Sequence, residues 1–280
     1  MSACIVAVVS DIHVNSKFGL FPPQGRDEGH PISQSKMQAV TWGLWLQFWR
    51  KALEWKKQHD CPLIVVIDGE ILDINKHDLT EAMTLDPVGV LAIGESVLGP
   101  VADMADQTFI IKGTEAHEGA HSFFSGLMAE RLSRRPKATI VRDDYEDSAS
   151  WMQVWAEFGG VTFDISHHPP TSGVRPWTVG AAAARAQAII RSDYIEAGRK
   201  PPDVAIRGHR HLFRESGRDV KPFFIYCPGW SLKNAFVHRI GATTTPLKIG
   251  GLLFHCHDGA YEYEPVVGLW EGRPAPWKLN

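Results

Sequence analysis

Short apolar runs that stop abruptly at polar residues are the feature that most limits how this sequence can fold. Cys4–Val9 and Cys61–Ile67 are almost continuously apolar, without the alternation of a half-exposed strand, and Gln107–Lys112 is predicted as a third strand. Such runs are typical of parallel strands that are covered on both faces. Between them, Ser33–Gln58 and Pro87–Ala105 carry apolar residues at helical spacing. Strands and helices therefore alternate in the first half of the chain.

The second half changes character. Trp151–Glu157 and Val161–Ser166 alternate like the two strands of a hairpin, and an alanine-rich helix is predicted over Val179–Ala197. Further strands are predicted at Phe223–Cys227 and Gly251–Cys256. Alternating strands and helices followed by hairpins predict an α/β fold, a four-layer αββα sandwich of two mixed β-sheets flanked by helices.

The 280 residues are interpreted as a single domain spanning 1–280, with a loop and helix insertion around 15–58. Asn15–Pro31 is rich in Gly, Pro and charge and is long for a connector, so we expect a functional lid there. The following helix carries four tryptophans, Trp42, Trp45, Trp49 and Trp55. The spacing of the first three, by three and four residues, favours core packing over base stacking.

Composition narrows the classes of function. Apolar residues make up 44% and charged residues 22% of the chain, as in an ordinary soluble protein. A net charge of -3 argues against a broad basic face that grips duplex nucleic acid, although a metal ion could still attract phosphate locally. The four cysteines are far apart and are interpreted as reduced. We expect a cytoplasmic protein without a membrane segment, and the oligomeric state stays open.

Polar side chains follow the predicted strands at the points where they end. In chain order these groups are Asp11-x-His13, Gly69-Glu70-x-x-Asp73, Gly113-Thr-Glu-Ala-His117, His167 and Gly208-His209-x-His211. Imidazole is the commonest protein ligand for a transition metal, and carboxylates complete such sites. An acid at a strand end is often only a helix cap, and a lone histidine is often a core residue. Several such groups, each following a predicted strand, instead predict that these side chains form one metal site.

These five groups resemble the blocks of the calcineurin-like metallophosphoesterase superfamily: Asp-x-His, Gly-Asp-x-x-Asp, Gly-Asn-His followed by an acid, a lone His, and Gly-His-x-His. The resemblance extends from Asp11 to His211. Each block is weak alone, but five in order are a strong joint signal. The variants found here look like those of phosphoesterases from phages and prophages.

The resemblance implies a role for each matched residue. Asp11, His13 and His211 would hold one divalent metal, His167 and His209 would hold a second, and Glu70 would bridge the two. A mixed nitrogen and oxygen shell suits Mn, our first choice, or Fe, Zn or Ni. Two such ions activate a water for attack on phosphorus. His117 would protonate or stabilise the leaving oxygen.

Two blocks depart from the family pattern. Glu70 stands where the family has Asp, and Asp68 is a fallback ligand. Thr114 stands where the family has Asn, so Thr114 or Glu115 would have to replace the missing amide, or the second metal would bind weakly. Asp73 could orient ligands from behind.

The remaining candidates concern the substrate. His168 and Arg175 are candidate substrate-binding residues, while His59 and His255 receive no role from the sequence. The resemblance implies a phosphodiesterase that acts on nucleic acid or nucleotides. The alternatives are a phosphomonoesterase and a degenerate phosphoesterase fold that serves as a binding or scaffold module.

Overall fold

The computed structural model describes residues 2–74, 81–170, 181–233 and 247–270. The helices in this part of the chain are α1 (Lys36–His59), α2 (Pro87–Met104), α3 (Glu115–Glu118), α4 (Phe123–Ser133) and α5 (Ala182–Glu196). The strands are β1 (Cys4–Ser10), β2 (Gln24–Asp27), β3 (His30–Ser33), β4 (Leu63–Asp68), β5 (Gln107–Ile111), β6 (Val154–Phe158), β7 (Val161–Ser166), β8 (Val204–Arg207), β9 (Arg214–Glu215), β10 (Phe223–Tyr226), β11 (Leu247–His257) and β12 (Ala260–Trp270).

Two five-stranded mixed sheets form the centre of the molecule. The first has the order β12-β11-β1-β4-β5, in which β1, β4 and β5 are parallel and β11 runs antiparallel to β1. The second has the order β6-β7-β8-β10-β9, in which β7, β8 and β10 are parallel. The two mixed sheets that the sequence predicts are confirmed.

Alternate residues of β1 face two different buried layers. Val8 belongs to the cluster between the sheets, together with Phe163 of β7, whereas Ala7 belongs to the cluster under α1, α2 and α4. On the far side of the second sheet, Ile190 of α5 packs in a third cluster with Phe224 of β10. Because successive side chains of a strand point to opposite faces, this sorting gives the order helices, sheet, sheet, helix. The predicted αββα sandwich is confirmed.

Helix α1 buries its tryptophans only in part. Trp45 and Trp49 are buried, and the Trp45 ring meets Trp230 edge-on at 4.9 Å between ring centroids. Core packing is therefore confirmed for these two. Val40 and Leu53, which have similar spacing, are exposed on the opposite side of the helix.

The prediction of a long lid over 15–31 is wrong. Strands β2 and β3 pair as a hairpin within and just beyond this segment, and Leu20 and Phe21 are fully buried in the core cluster. The Asn15 amide also donates to the carbonyl oxygens of Asp73 and Thr84, at 2.9 and 3.0 Å. Buried apolar residues and satisfied polar groups fix this segment to the domain.

Helix α2 continues through its glycines and Pro100. A Cβ on Gly94 would come within 2.5 Å of Met128 Cε, so the glycine allows α4 to approach closely. Among the described residues, α2 is the one helix long and apolar enough to cross a membrane by length and composition alone, and half of it is buried inside the protein. The predicted absence of a membrane segment stays a prediction.

The two strands at one edge of the first sheet, β11 and β12, differ most from the strands predicted from the sequence. Strand β11 is longer than the predicted Gly251–Cys256, and β12, which the sequence analysis missed, pairs with it along its full length. Tyr261 and Tyr263 face the core between the sheets while Glu262 and Glu264 alternate with them. This alternation is the signal of an edge strand with one buried face.

Candidate metal centre

The carboxyl ends of the parallel strands from both sheets meet at one edge of the sandwich. The Ser10 hydroxyl, at the end of β1, lies 2.7 Å from the carbonyl oxygen of Asp68 at the end of β4. Nδ1 of His167, just after β7, lies 3.0 Å from the same carbonyl oxygen. Ser10 also forms a bridge to Gly229, which follows β10. The loops after these strands therefore share one small volume.

The backbone of these loops is unusual. Five of the six residues that the sequence analysis chose as metal ligands have positive φ angles: Asp11 (52°), His13 (49°), Glu70 (47°), His209 (68°) and His211 (49°). A positive φ is uncommon for residues other than glycine, and such conformations cluster at functional sites. In each case the chain turns sharply as the strand ends, which directs the side chain toward the shared edge.

Two glycines allow the loops to approach each other. Gly69 has φ 65°, and a Cβ there would lie 2.4 Å from His167 Nδ1. A Cβ on Gly208 would lie 2.1 Å from the Ser10 hydroxyl oxygen. The glycines of the second and fifth blocks are therefore needed for close packing beneath the site.

A first group of donor atoms comes from Asp11, His13, Glu70 and His211, and all of them lie within 4.8 Å of one another. His13 Nε2 lies 2.9 Å from Glu70 Oε2 and 3.1 Å from His211 Nε2. His211 Nε2 lies 3.3 Å from Asp11 Oδ1. Two imidazole nitrogens and two carboxylates that face one point form a donor set suited to a transition metal.

A second group shares Glu70 with the first. His167 Nε2 lies 3.4 Å and His209 Nδ1 lies 3.5 Å from Glu70 Oε1, the other oxygen of the same carboxylate. Glu70 is almost fully buried, so both of its oxygens are committed to this cluster. The division of residues between the two groups is the one that the family resemblance implies.

His167 shows that the cluster suits a metal. Its Nε2 is buried and has no hydrogen-bond partner among the described residues, although its Nδ1 is held at the Asp68 carbonyl oxygen. An Nδ1–H that donates to a backbone carbonyl leaves the lone pair on Nε2, which is the tautomer of a metal-bound histidine. The orphaned nitrogen and the mixed donor set both fit divalent transition-metal ions.

The charges at the site favour a bound cation. Burial opposes ionisation of Glu70, but the charge of His13, its close contact with the carboxylate, and the nearby rings of His167 and His209 hold the pKa of Glu70 well below the ordinary value. Burial likewise opposes protonation of His167, but the neighbouring carboxylate of Glu70 and the charges of Asp11 and Asp68 raise its pKa to about 10. The carboxylates thus attract positive charge, which a divalent cation would supply more fully than protons do.

Asp68 lies behind the two groups. Its Oδ1 is 4.0 Å from His167 Nδ1, on the side of the ring away from Glu70. Burial is the main cause that raises the pKa of Asp68 to about 7, since it outweighs the charge of His167. This position fits support for His167 from behind the site better than the fallback ligand role that the sequence suggested.

His117 stands at the rim of the cluster. Its Nδ1 lies 3.4 Å from Asp73 Oδ1, and its Nε2 lies 4.0 Å from Glu70 Oε1. The side chain is 35% exposed, in contrast to the buried rings of His13 and His167. Donor atoms of His13, Asp73 and His117 also lie within 4.8 Å of one another. Asp73 thus lies between a buried and an accessible imidazole and fixes the direction of both.

The remaining candidate residues from the sequence differ in their positions relative to the two donor groups. The Thr114 hydroxyl donates to Glu70 Oε1 at 2.8 Å, so it holds the shared carboxylate. Glu115 instead points to solvent beside His121, with 3.9 Å between Oε1 and Nδ1, and lies outside both donor groups. The ring of His168 lies 5.1 Å from that of His209, at the edge of the second group. Arg175 lies outside the described residues.

Sequence reasoning missed Glu118, although the third block of the family places an acid directly after its histidine. Glu118 is fully buried, and its two carboxylate oxygens accept from the backbone N–H groups of Ile71 (2.7 Å) and Gly113 (2.9 Å). Ser125 also donates to it, at 2.5 Å. The carboxylate therefore joins the loop after β4 to the loop after β5.

Replacing Glu118 with Ala should destabilise the domain. Two buried backbone N–H groups would lose their acceptor, and each such loss costs about 1–3 kcal/mol, so we expect the free energy of unfolding to fall by roughly 2–6 kcal/mol. Glu118→Gln keeps one acceptor oxygen and should lose less. Urea denaturation followed by circular dichroism measures both, and an alanine variant as stable as the parent would contradict this role.

Comparison with known proteins gave matches to solved structures only. No protein-family model and no curated protein matches this chain. A Vps29 from Entamoeba histolytica is similar at 12% identity and a TM-score of 0.40, over 94% of this chain and 99% of that chain. A predicted phosphoesterase from Streptococcus pneumoniae is similar at 9% identity and a TM-score of 0.35, over 95% and 99% of the two chains. A hypothetical protein from Pyrococcus horikoshii is similar at 10% identity and a TM-score of 0.44, over 94% and 87%. These similarities concern the overall fold.

Proposed function

We propose that this protein is a calcineurin-like metallophosphoesterase that hydrolyses phosphodiesters, with nucleic acid or nucleotides as substrates. The observation that carries the proposal is the pair of donor groups that share Glu70, each oxygen of which faces a different set of histidines. A carboxylate shared in this way suits two metal ions held close together.

The residues of the chain have distinct tasks in this proposal. Bound divalent ions, Mn in the first instance, would supply Lewis acidity and a water of lowered pKa. Glu70 belongs to both donor groups, and Thr114 fixes its orientation by donating to Oε1. His167 is set in its ligand tautomer by the Asp68 carbonyl oxygen. Asp73 directs Nε2 of His117 toward the rim, where a leaving oxygen would need a proton.

The choice of a diester rests on the block variants. The third block, with Gly113-Thr-Glu-Ala-His117 in place of Gly-Asn-His, looks like that of phosphoesterases from phages and prophages, which favours nucleic-acid chemistry. A net charge of -3 agrees with binding of substrate phosphate by the metal centre rather than by a basic face. A phosphomonoesterase is the second candidate.

The first test is metal-dependent turnover of paired chromogenic substrates. We expect protein stripped with a chelator to be inactive, and added Mn to restore hydrolysis of a bis-nitrophenyl phosphate more than that of the nitrophenyl monoester. Preference for the monoester would instead support the phosphomonoesterase. No turnover of either ester with any of Mn, Fe, Zn or Ni would overturn the proposal and favour a scaffold module.

A further inference from the structure

A separate cluster of side chains of the metal-ligand type lies at the other end of the strands of the first sheet, away from the candidate metal centre. It consists of His59 at the end of α1, His255 on β11 and Glu262 on β12, and one donor atom from each lies within 4.8 Å of the others. His255 pairs in register with Ile5 at the start of β1, six residues before Asp11. At about 3.3 Å per residue, the cluster is roughly 20 Å from the candidate metal centre.

The fold places these three side chains on one face. His255 and Glu262 are direct cross-strand partners, so their side chains leave the same side of the sheet. That side faces α1, because Leu253, two residues before His255, belongs to the core cluster under the helices. The His59 ring covers the His255 ring, with 3.7 Å between ring centroids.

An unpartnered nitrogen points to a ligand at this cluster. His255 is only 9% exposed, and its Nδ1 has no hydrogen-bond partner among the described residues. Simple packing of the two rings would leave this buried nitrogen unsatisfied, which carries a free-energy penalty.

We propose that His59, His255 and Glu262 form a second, independent site for a divalent transition-metal ion of the zinc type. Two imidazoles and one carboxylate are a set that Zn²⁺ accepts, and three protein ligands leave a fourth position open. Bonds of about 2.0–2.2 Å require the three donors to converge on one point. The two stacked rings and the exposed Glu262 side chain would therefore have to turn toward the ion when it binds. The ion would fasten the end of α1 to the β11–β12 hairpin.

The test compares Zn²⁺ content and thermal stability in matched variants. Chelator-stripped protein is equilibrated with Zn²⁺, freed of excess metal and subjected to elemental analysis. We expect His59→Ala and Glu262→Gln each to hold one Zn²⁺ fewer per chain than the parent, and to lose part of the Zn²⁺-induced rise in Tm. Phosphodiester hydrolysis should be unchanged, since neither residue lies at the candidate metal centre.

Glu264→Gln is the control, because Glu264 lies on the same face of β12 but pairs with Lys51 of α1. It should keep the zinc content of the parent. If His59→Ala and Glu262→Gln also keep that content and the same Tm rise, the cluster is only a packed pair of histidines and the proposal is overturned. Because Glu262 is exposed, its variant decides the matter even if removal of His59 loosens α1. Failure here would leave the proposed function untouched.

Discussion

Replacing Glu70 with Gln is expected to remove phosphodiester hydrolysis almost completely and to lower the metal content by about two ions per chain. Gln has nearly the shape of Glu, so the buried packing is kept while the negative charge is lost. Metal stabilisation of the reacting phosphate is worth several kcal/mol, and each ~1.4 kcal/mol is a factor of ten, so we expect turnover to fall about 1,000-fold or more.

The physical reason is the shared position of Glu70. Its two oxygens face His13 on one side and His167 on the other, at 2.9 and 3.4 Å. A neutral amide presents only one acceptor and turns its N–H₂ group toward one of the donor groups. Both donor groups should therefore weaken together.

The measurement is elemental analysis of parent and variant after equilibration with Mn, followed by turnover of a diester. Glu130→Gln is the matched control, because Glu130 is half-buried on α4, outside both donor groups, and pairs with Arg142. It should retain the metal and activity of the parent. A Glu70→Gln variant with unchanged metal content would show that Glu70 does not hold the ions, and loss of only one ion would show that it is not shared.

Replacing His117 with Ala is expected to slow the hydrolysis of diesters with poor leaving groups much more than that of diesters with good leaving groups. An acid that protonates the leaving oxygen contributes about 10²–10⁴-fold, so turnover of diesters with alkyl leaving groups should fall by that factor. Diesters that release nitrophenolate need little protonation and should be hydrolysed almost as fast as by the parent. Metal content should stay the same, because His117 lies at the rim of the two groups that share Glu70.

His121→Ala controls for the loss of a histidine in this segment, since the His121 side chain is 97% exposed beside Glu115. Equal loss on both classes of leaving group would argue against a role in proton transfer. A fall in metal content would instead identify His117 as a ligand with His13 and Asp73, whose donor atoms lie close enough for this. Each outcome assigns one role to the residue.

The strand ends were predictable because they depend on local pattern. The apolar runs that became β1, β4 and β5 are buried on both faces, and Asp11, Glu70 and Thr114 follow them directly. Since parallel strands place their carboxyl ends at one edge of a sheet, residues at these ends must lie near one another. The sequence thus contained the location of the candidate site and the residue types in it.

Only the tertiary structure showed which of two neighbouring residues reaches the candidate site. Asp68 and Glu70 both follow the same apolar run, but of the two only Glu70 belongs to the donor groups, because the positive φ angles of Gly69 and Glu70 turn the chain there. Glu115 and Thr114 are adjacent, yet only Thr114 reaches Glu70. Which of two neighbouring residues in a turn reaches the site depends on contacts with other loops, and no pattern in the nearby sequence indicates it.

The sequence by itself determined the layered α/β fold and the set of acids and histidines at its strand ends, because both follow from apolar periodicity over short stretches of chain. Only the tertiary structure decided that Glu118 joins two loops, and that β12 brings Glu262 beside His255 and His59. The residues of that last cluster lie about 200 positions apart in the sequence. They meet through strand register and helix packing, which depend on the whole folded domain rather than on any one segment.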